Sequence, residues 1–271
     1  MHRFLPALAA CALTPLAAQA SLVTTTVDVD VPNLLPDDNG DLTIPAGNSA
    51  VVASWTAAKG SAPVDAANNL LQTHVSSVTL QSGEVTAGGA LANINDGLMV
   101  SGTWHTGNAE GGAVFTDGSG WNPWLDDAPA AALVFTLDGK YNIGRIDSFT
   151  LWGKDRLGQK YELFGSTNGG TDWNSVTSVN SAHGDYEENG TTTTLRGISL
   201  TDSAGVITGL TGVDALKFVF ANPDPGSPDW NNMGVYSEIA AYSLTAVPEP
   251  GSLLALGCLI GSGAFLRSRR R

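Results

Sequence analysis

The stretch that decides the fold is Lys160-Tyr161-Glu162-Leu163-Phe164-Gly165-Ser166-Thr167-Asn168-Gly169-Gly170-Thr171-Asp172-Trp173. An apolar run of strand length ends at Ser166, and Asn-Gly follows, the dipeptide that suits a tight reversal between two strands. A strand entering a hairpin predicts an antiparallel sheet.

Working outward, the same texture recurs. Short apolar runs fall at Val78 to Gln81, Ala132 to Leu137, Arg145 to Trp152, Ala215 to Phe220 and Ser237 to Thr245, broken by Gly, Asn, Asp and Ser. Such spacing predicts an all-β, antiparallel sandwich. Phe149, Leu151, Leu163, Phe218, Phe220 and Ile239 are the alternating residues expected to fill the core between its two sheets. Ser21 to Val31 reads as an edge strand, Leu42 to Ile44 as a short strand and Val51 to Thr56 as another. Val64 to His74, with apolar residues at helical spacing, reads as a single short helix. Thr191 to Leu195 begins a further strand after a hairpin or long loop at Glu187 to Gly190.

Several of these blocks resemble the discoidin or coagulation-factor C-type domains, which are jelly-roll, galactose-binding-like β-sandwiches. Asn93-Ile94-Asn95-Asp96-Gly97, with Ser101 and Trp104 beyond, resembles the family's opening motif. Arg145 to Phe149 and Lys160 to Trp173 resemble its middle strands, with Asn168 for the usual aspartate and one glycine inserted. Leu216 to Phe220 and Asn231 to Tyr242 resemble its closing pair, Glu238-Ile239-Ala240-Ala241-Tyr242 most specifically. The resemblance covers residues 88–246 and leaves 21–87 as N-terminal strands or an extension. It implies a structural calcium at Asp96, Ser101 and Glu238; an ion taking 6 to 8 hard oxygen ligands suits these groups and neighbouring loop carbonyls. The alternative is that Asp96 merely forms a turn and Glu238 is a surface charge. Asp37, Asn39 and Asp41 alternate as in a calcium loop, but their glycine is misplaced and a turn is the expectation.

The two ends of the chain differ in composition from its middle and are set apart from the expected sandwich. Met1-His2-Arg3, an apolar stretch to Ala18 and Ala18-Gln19-Ala20 form a signal peptide expected to be cut after Ala20 by signal peptidase. Leu8-Ala9-Ala10-Cys11 is a rival lipobox. At the other end come Val247, Pro248, Glu249 and Pro250, then sixteen uncharged residues from Gly251 to Leu266, then Arg267, Arg269, Arg270 and Arg271 around Ser268. This order resembles the PEP-CTERM sorting signals. It implies recognition by an exosortase-type enzyme, transient membrane insertion of a hydrophobic helix, and delivery to the surface or matrix of a Gram-negative bacterium. A permanent anchor would want about 20 apolar residues.

Charge narrows the partners. Eight Lys and Arg face 25 Asp and Glu between residues 21 and 246, about −17 in all, which disfavours nucleic acid and anionic membranes. Both cysteines, Cys11 and Cys258, lie in the end segments, so the domain between them has no disulfide and no thiolate site. No nucleophile, phosphate-loop or zinc motif is present, and adjacent Asp126 and Asp127 would point to opposite faces of a strand. A non-catalytic role is therefore expected, with exopolysaccharide or other glycan as ligand. Loop tryptophans Trp121, Trp124 and Trp230 are the candidate sugar-stacking surfaces, burial under their own loops being the alternative. A structural matrix protein without a specific ligand remains the other reading, a secreted hydrolase a more distant one.

Overall fold

A computed structural model describes residues 22–31, 47–86, 91–99, 114–116, 129–152, 157–182, 193–203, 205–223 and 236–243. In chain order the elements are β1 (Leu22–Val31), α1 (Gly47–Lys59), α2 (Leu70–Thr73), β2 (Val75–Ser82), β3 (Glu84–Thr86), a 3-10 turn (Leu91–Asn95), β4 (Val114–Thr116), β5 (Pro129–Tyr141), β6 (Ile143–Trp152), β7 (Gln159–Ser166), β8 (Asn174–Ser181), β9 (Thr193–Asp202), β10 (Val213–Ala221) and β11 (Tyr236–Ser243). The expected antiparallel β-sandwich is what they build. One sheet has the order β1-β9-β6-β11, the other β2-β5-β10-β7-β8, and β3 pairs with β4 apart from both. Every pairing is antiparallel.

Between the sheets lies a core of Leu133, Phe135, Tyr161, Leu163, Phe218, Phe220 and Ile239, each at most 1% exposed. Phe218 meets Phe135 edge-on at 5.8 Å and Tyr161 at 5.4 Å between centroids. Each such side chain contributes roughly 1.5–3 kcal/mol on burial. The interior also holds polar groups that satisfy one another: Ser148 Oγ donates to Gln159 Oε1 at 2.6 Å and lies 3.0 Å from the Tyr161 hydroxyl, and Thr150 Oγ1 donates to Leu157 O at 2.9 Å.

Three expectations are corrected. Val51 to Thr56 is helical, inside α1: alanines at 50, 53, 57 and 58 favour helix, and Val51 and Trp55, four residues apart, share the buried face. Phe149 and Leu151 do not face the other sheet; they point outward from β6 into a second core with Val51, Trp55, Val64 and Leu195, because α1 covers that face. Trp55 meets Phe149 edge-on at 5.5 Å. The helix expected over Val64 to His74 shrinks to Leu70–Thr73, since Asn69 caps it by accepting the Leu71 N–H. Sequence reading also passed over β8, a polar edge strand in which Val179 is the buried side chain. The proposed strand at 42–44, the loop at 187–190 and the Asp37 cluster lie outside the described residues, as do both end segments. Among the described residues no helix is long and apolar enough to cross a membrane.

Candidate functional site

Strand register fixes what gathers at one end of the sandwich. Ala221, the last residue of β10, pairs with Pro129, the first of β5. Tyr161, beside the start of β7, pairs with Phe220, and the Tyr236 hydroxyl at the start of β11 accepts the Lys160 N–H at 3.0 Å. Trp152 at the end of β6 pairs with Thr194 near the start of β9. The chain segments at 117–128, 153–156, 183–192 and 224–235 therefore all join the sandwich at this end. Trp121 and Trp124 belong to the first of these and Trp230 to the last; all three lie outside the described residues.

Glu238 stands two residues into β11 on the same side. Its strand is the edge of its sheet, and Asn69 and the 3-10 turn close that free edge. Glu238 is completely buried, so the surface-charge alternative fails. Its Oε2 accepts the Gly97 N–H at 3.1 Å, and its Oε1 accepts from Asn69 Nδ2 at 3.4 Å. Asn69, itself fully buried, accepts at Oδ1 from Leu71 N at 3.0 Å and from Ala241 N at 3.1 Å, so its orientation is fixed. Asp96 Oδ1 accepts the Leu98 N–H at 2.8 Å, an Asx turn, and its carbonyl accepts from Gln72 Nε2 at 2.8 Å. Gly97 sits at φ +83°, where a side chain would be strained and its Cβ would strike Gln72.

Burial, opposed by the Gly97 hydrogen bond and reinforced by the nearby Asp96 carboxylate, pushes the Glu238 carboxyl up to about 10. No basic side chain of the described residues forms an ion pair with it. Sequence reading had joined Asp96 and Glu238 across 142 positions, and the fold brings their loop and strand together. Ser101 lies outside the described residues. Asn69 and Gln72 were missed; the one available signal was an asparagine before an apolar Leu-Leu pair, an N-cap pattern. Among the described residues no three His, Cys, Asp or Glu gather as a metal cluster, so a cation here would draw on carbonyl and hydroxyl oxygens as well. The Glu238 and Asp96 carboxyls and the neighbouring loop carbonyls are oxygen groups of the kind calcium takes, while both Glu238 oxygens already accept N–H bonds from Gly97 and Asn69.

No protein-family model matches the sequence, and no curated protein does. Among solved structures, CpGH89CBM32-6 of Clostridium perfringens is similar at 18% identity, with 65% of this chain and 99% of that one covered and a TM-score of 0.34. A pectin binding carbohydrate binding module is similar at 19% identity, covering 64% and 94%, with a TM-score of 0.35. The CBM32-1 and CBM32-2 domains of ZmpB of Clostridium perfringens are similar at 17%, covering 84% and 44%, with a TM-score of 0.40. At these values the ligands of those proteins say nothing of this one.

Proposed function

We propose that the chain is an exported, exosortase-sorted protein of the cell surface or extracellular matrix whose β-sandwich binds glycan without catalysis. The observation that carries this reading is the register that joins the segments bearing Trp121, Trp124 and Trp230 to one end of a rigid sandwich. Binding residues on connections held by a packed scaffold are a recurrent arrangement, and the apolar C–H faces of a sugar ring pack on indole faces. Calcium held by Asp96, Ser101 and Glu238 would supply charge compensation and tie the Asp96-Gly97 loop to β11, its role being stability.

The sorting half of the proposal rests on the order of elements from Val247 to Arg271. It expects surface protein with a mass lacking the residues beyond the Pro-Glu-Pro element. The glycan half is tested by applying the purified protein to a broad glycan array alongside Trp121→Ala, Trp124→Ala and Trp230→Ala. Binding that drops tenfold or more in at least one variant, with unchanged melting, supports it. An empty array overturns it in favour of a structural matrix role.

A further inference from the structure

Away from that end, on the outer face of the four-stranded sheet, a cleft of about 210 Å³ opens between the sheet and the last turn of α1 with the residues after it. Its floor follows from register. Thr25 pairs with Ser199 and Ser199 with Asp147, so a hydroxyl, a hydroxyl and a carboxyl stand side by side on adjacent strands, about 4.8 Å apart. The neighbouring row is Val27, Gly197 and Phe149, on which the Trp55 ring lies; a Cβ at Gly197 would come within 2.6 Å of that ring. One wall is therefore apolar, and the floor beside it is polar.

Two cations complete the lining, Lys59 from the end of α1 and Arg145 from β6. Arg145 is held in place: its guanidinium carbon lies 3.9 Å from the centre of the Tyr242 ring, and its Nε is 3.1 Å from Asp147 Oδ2. Asp147 Oδ1 in turn accepts from Ser199 Oγ at 2.7 Å. Asp147 is nearly buried, and desolvation pushes its carboxyl up while Arg145 and Ser199 pull it down. Among the described residues that line the cleft, at most one negative charge stands against two positive ones, within a chain of formal charge −13.

The contents select a ligand class. An anchored guanidinium and a second cation suit one carboxylate. The hydroxyl and carboxyl row suits the hydroxyls of a ring, and Trp55 offers an apolar edge. The volume lies below the roughly 300–1,000 Å³ of sites for drug-sized ligands, which fits a single ring. We propose that this cleft is a binding site for one carboxylate-bearing sugar unit of the hexuronate type, its carboxylate between Lys59 and Arg145 and its hydroxyls on Thr25, Asp147 and Ser199. The proposal is independent of the tryptophan-bearing end.

The test is a titration of the ¹⁵N-labelled full chain with sodium D-glucuronate, with D-glucose and sodium acetate as matched probes. The reporter is Trp55, a residue lining the cleft, followed through its indole N–H resonance, which Trp55→Phe assigns. A saturable Trp55 shift with glucuronate, at least tenfold weaker with either control, is expected. Lys59→Ala, an exposed position, should weaken it about tenfold, the scale of one charge-assisted hydrogen bond, without lowering the melting temperature. A Trp55 resonance that stays still, responds equally to glucose or acetate, or shifts unchanged in Lys59→Ala overturns the proposal. The indoles of Trp121, Trp124 and Trp230 report the other end separately, so either reading can fail without the other.

Discussion

Replacing Glu238 by glutamine gives the sharpest test of the buried carboxyl. With a folded pKa near 10 against 4.5 for the unfolded group, the native state holds one more proton than the unfolded chain between those values. Because the folded value is the raised one, the stability this group contributes is complete below 4.5 and is lost as pH rises toward 10. The loss is about 1.4 kcal/mol per pH unit, so it amounts to less than 1 kcal/mol at pH 5 and roughly 5 kcal/mol at pH 8. Glutamine carries no charge, and its carbonyl can keep the 3.1 Å bond from Gly97, but its amide then faces the Asn69 amide, whose orientation Leu71 and Ala241 fix. That mismatch costs about 1–2 kcal/mol. In EDTA, Glu238→Gln should therefore be slightly less stable than the parent at pH 5 and about 3 kcal/mol more stable at pH 8. Urea unfolding followed by tryptophan fluorescence at the two pH values measures it. Saturating calcium should reverse the order at pH 8, since the ion favours the ionised parent and glutamine offers a poorer ligand. A difference between the two proteins that is flat across pH, or a less stable variant at pH 8 in EDTA, would refute the reasoning.

Other substitutions probe the surrounding structure. Asn69→Ala removes the acceptor for two buried N–H groups and a donor to Glu238, and should cost about 3 kcal/mol or more in denaturant unfolding. Gly197→Ala places a methyl 2.6 Å from the Trp55 ring and 2.9 Å from that of Phe149, so a loss of about 1–3 kcal/mol should appear as a lower melting temperature. Asp28→Ala breaks the two-pronged contact with Arg196, whose Nε and Nη2 each donate to the carboxylate at 2.7 Å. Asp28 is 44% exposed, so solvent screening holds the global cost to about 1 kcal/mol, and faster amide exchange confined to β1 is the clearer signal.

The hairpin and the sheets were legible because local chemistry dictated them. Asn168 accepts the Asp172 N–H through its side chain, and Gly169 and Gly170 take φ of +69° and +82°, so the turn tolerates the extra glycine that separates it from the discoidin pattern. Asp96-Gly97 was legible for the same reason. The face of β6 was not: Ile146 and Phe149 look alike as alternating apolar residues, and only α1 makes the outward one as buried as the inward one. Val51-Val52 read as strand because β-branched residues favour it, whereas burial of Trp55 on Phe149 chose helix. Asn69 was illegible as a site residue because its meaning depends on Glu238, 169 positions away. The row of Thr25, Ser199 and Asp147 likewise exists only once three distant strands are aligned.

The pairing of β1 with β9 sets a clock on the chain's biogenesis. Leu22 meets Asp202 and Val31 meets Thr193, so the first strand has no partner until more than 160 further residues have been made. At about 5–20 residues per second that interval is on the order of ten seconds or more, and pairings so distant in sequence fold slowly in any case. Until then α1 has no completed sheet to lie on, and the second core cannot close. The β7–β8 hairpin, whose strands adjoin in sequence, can pair long before then, so local pairing precedes closure of the second core.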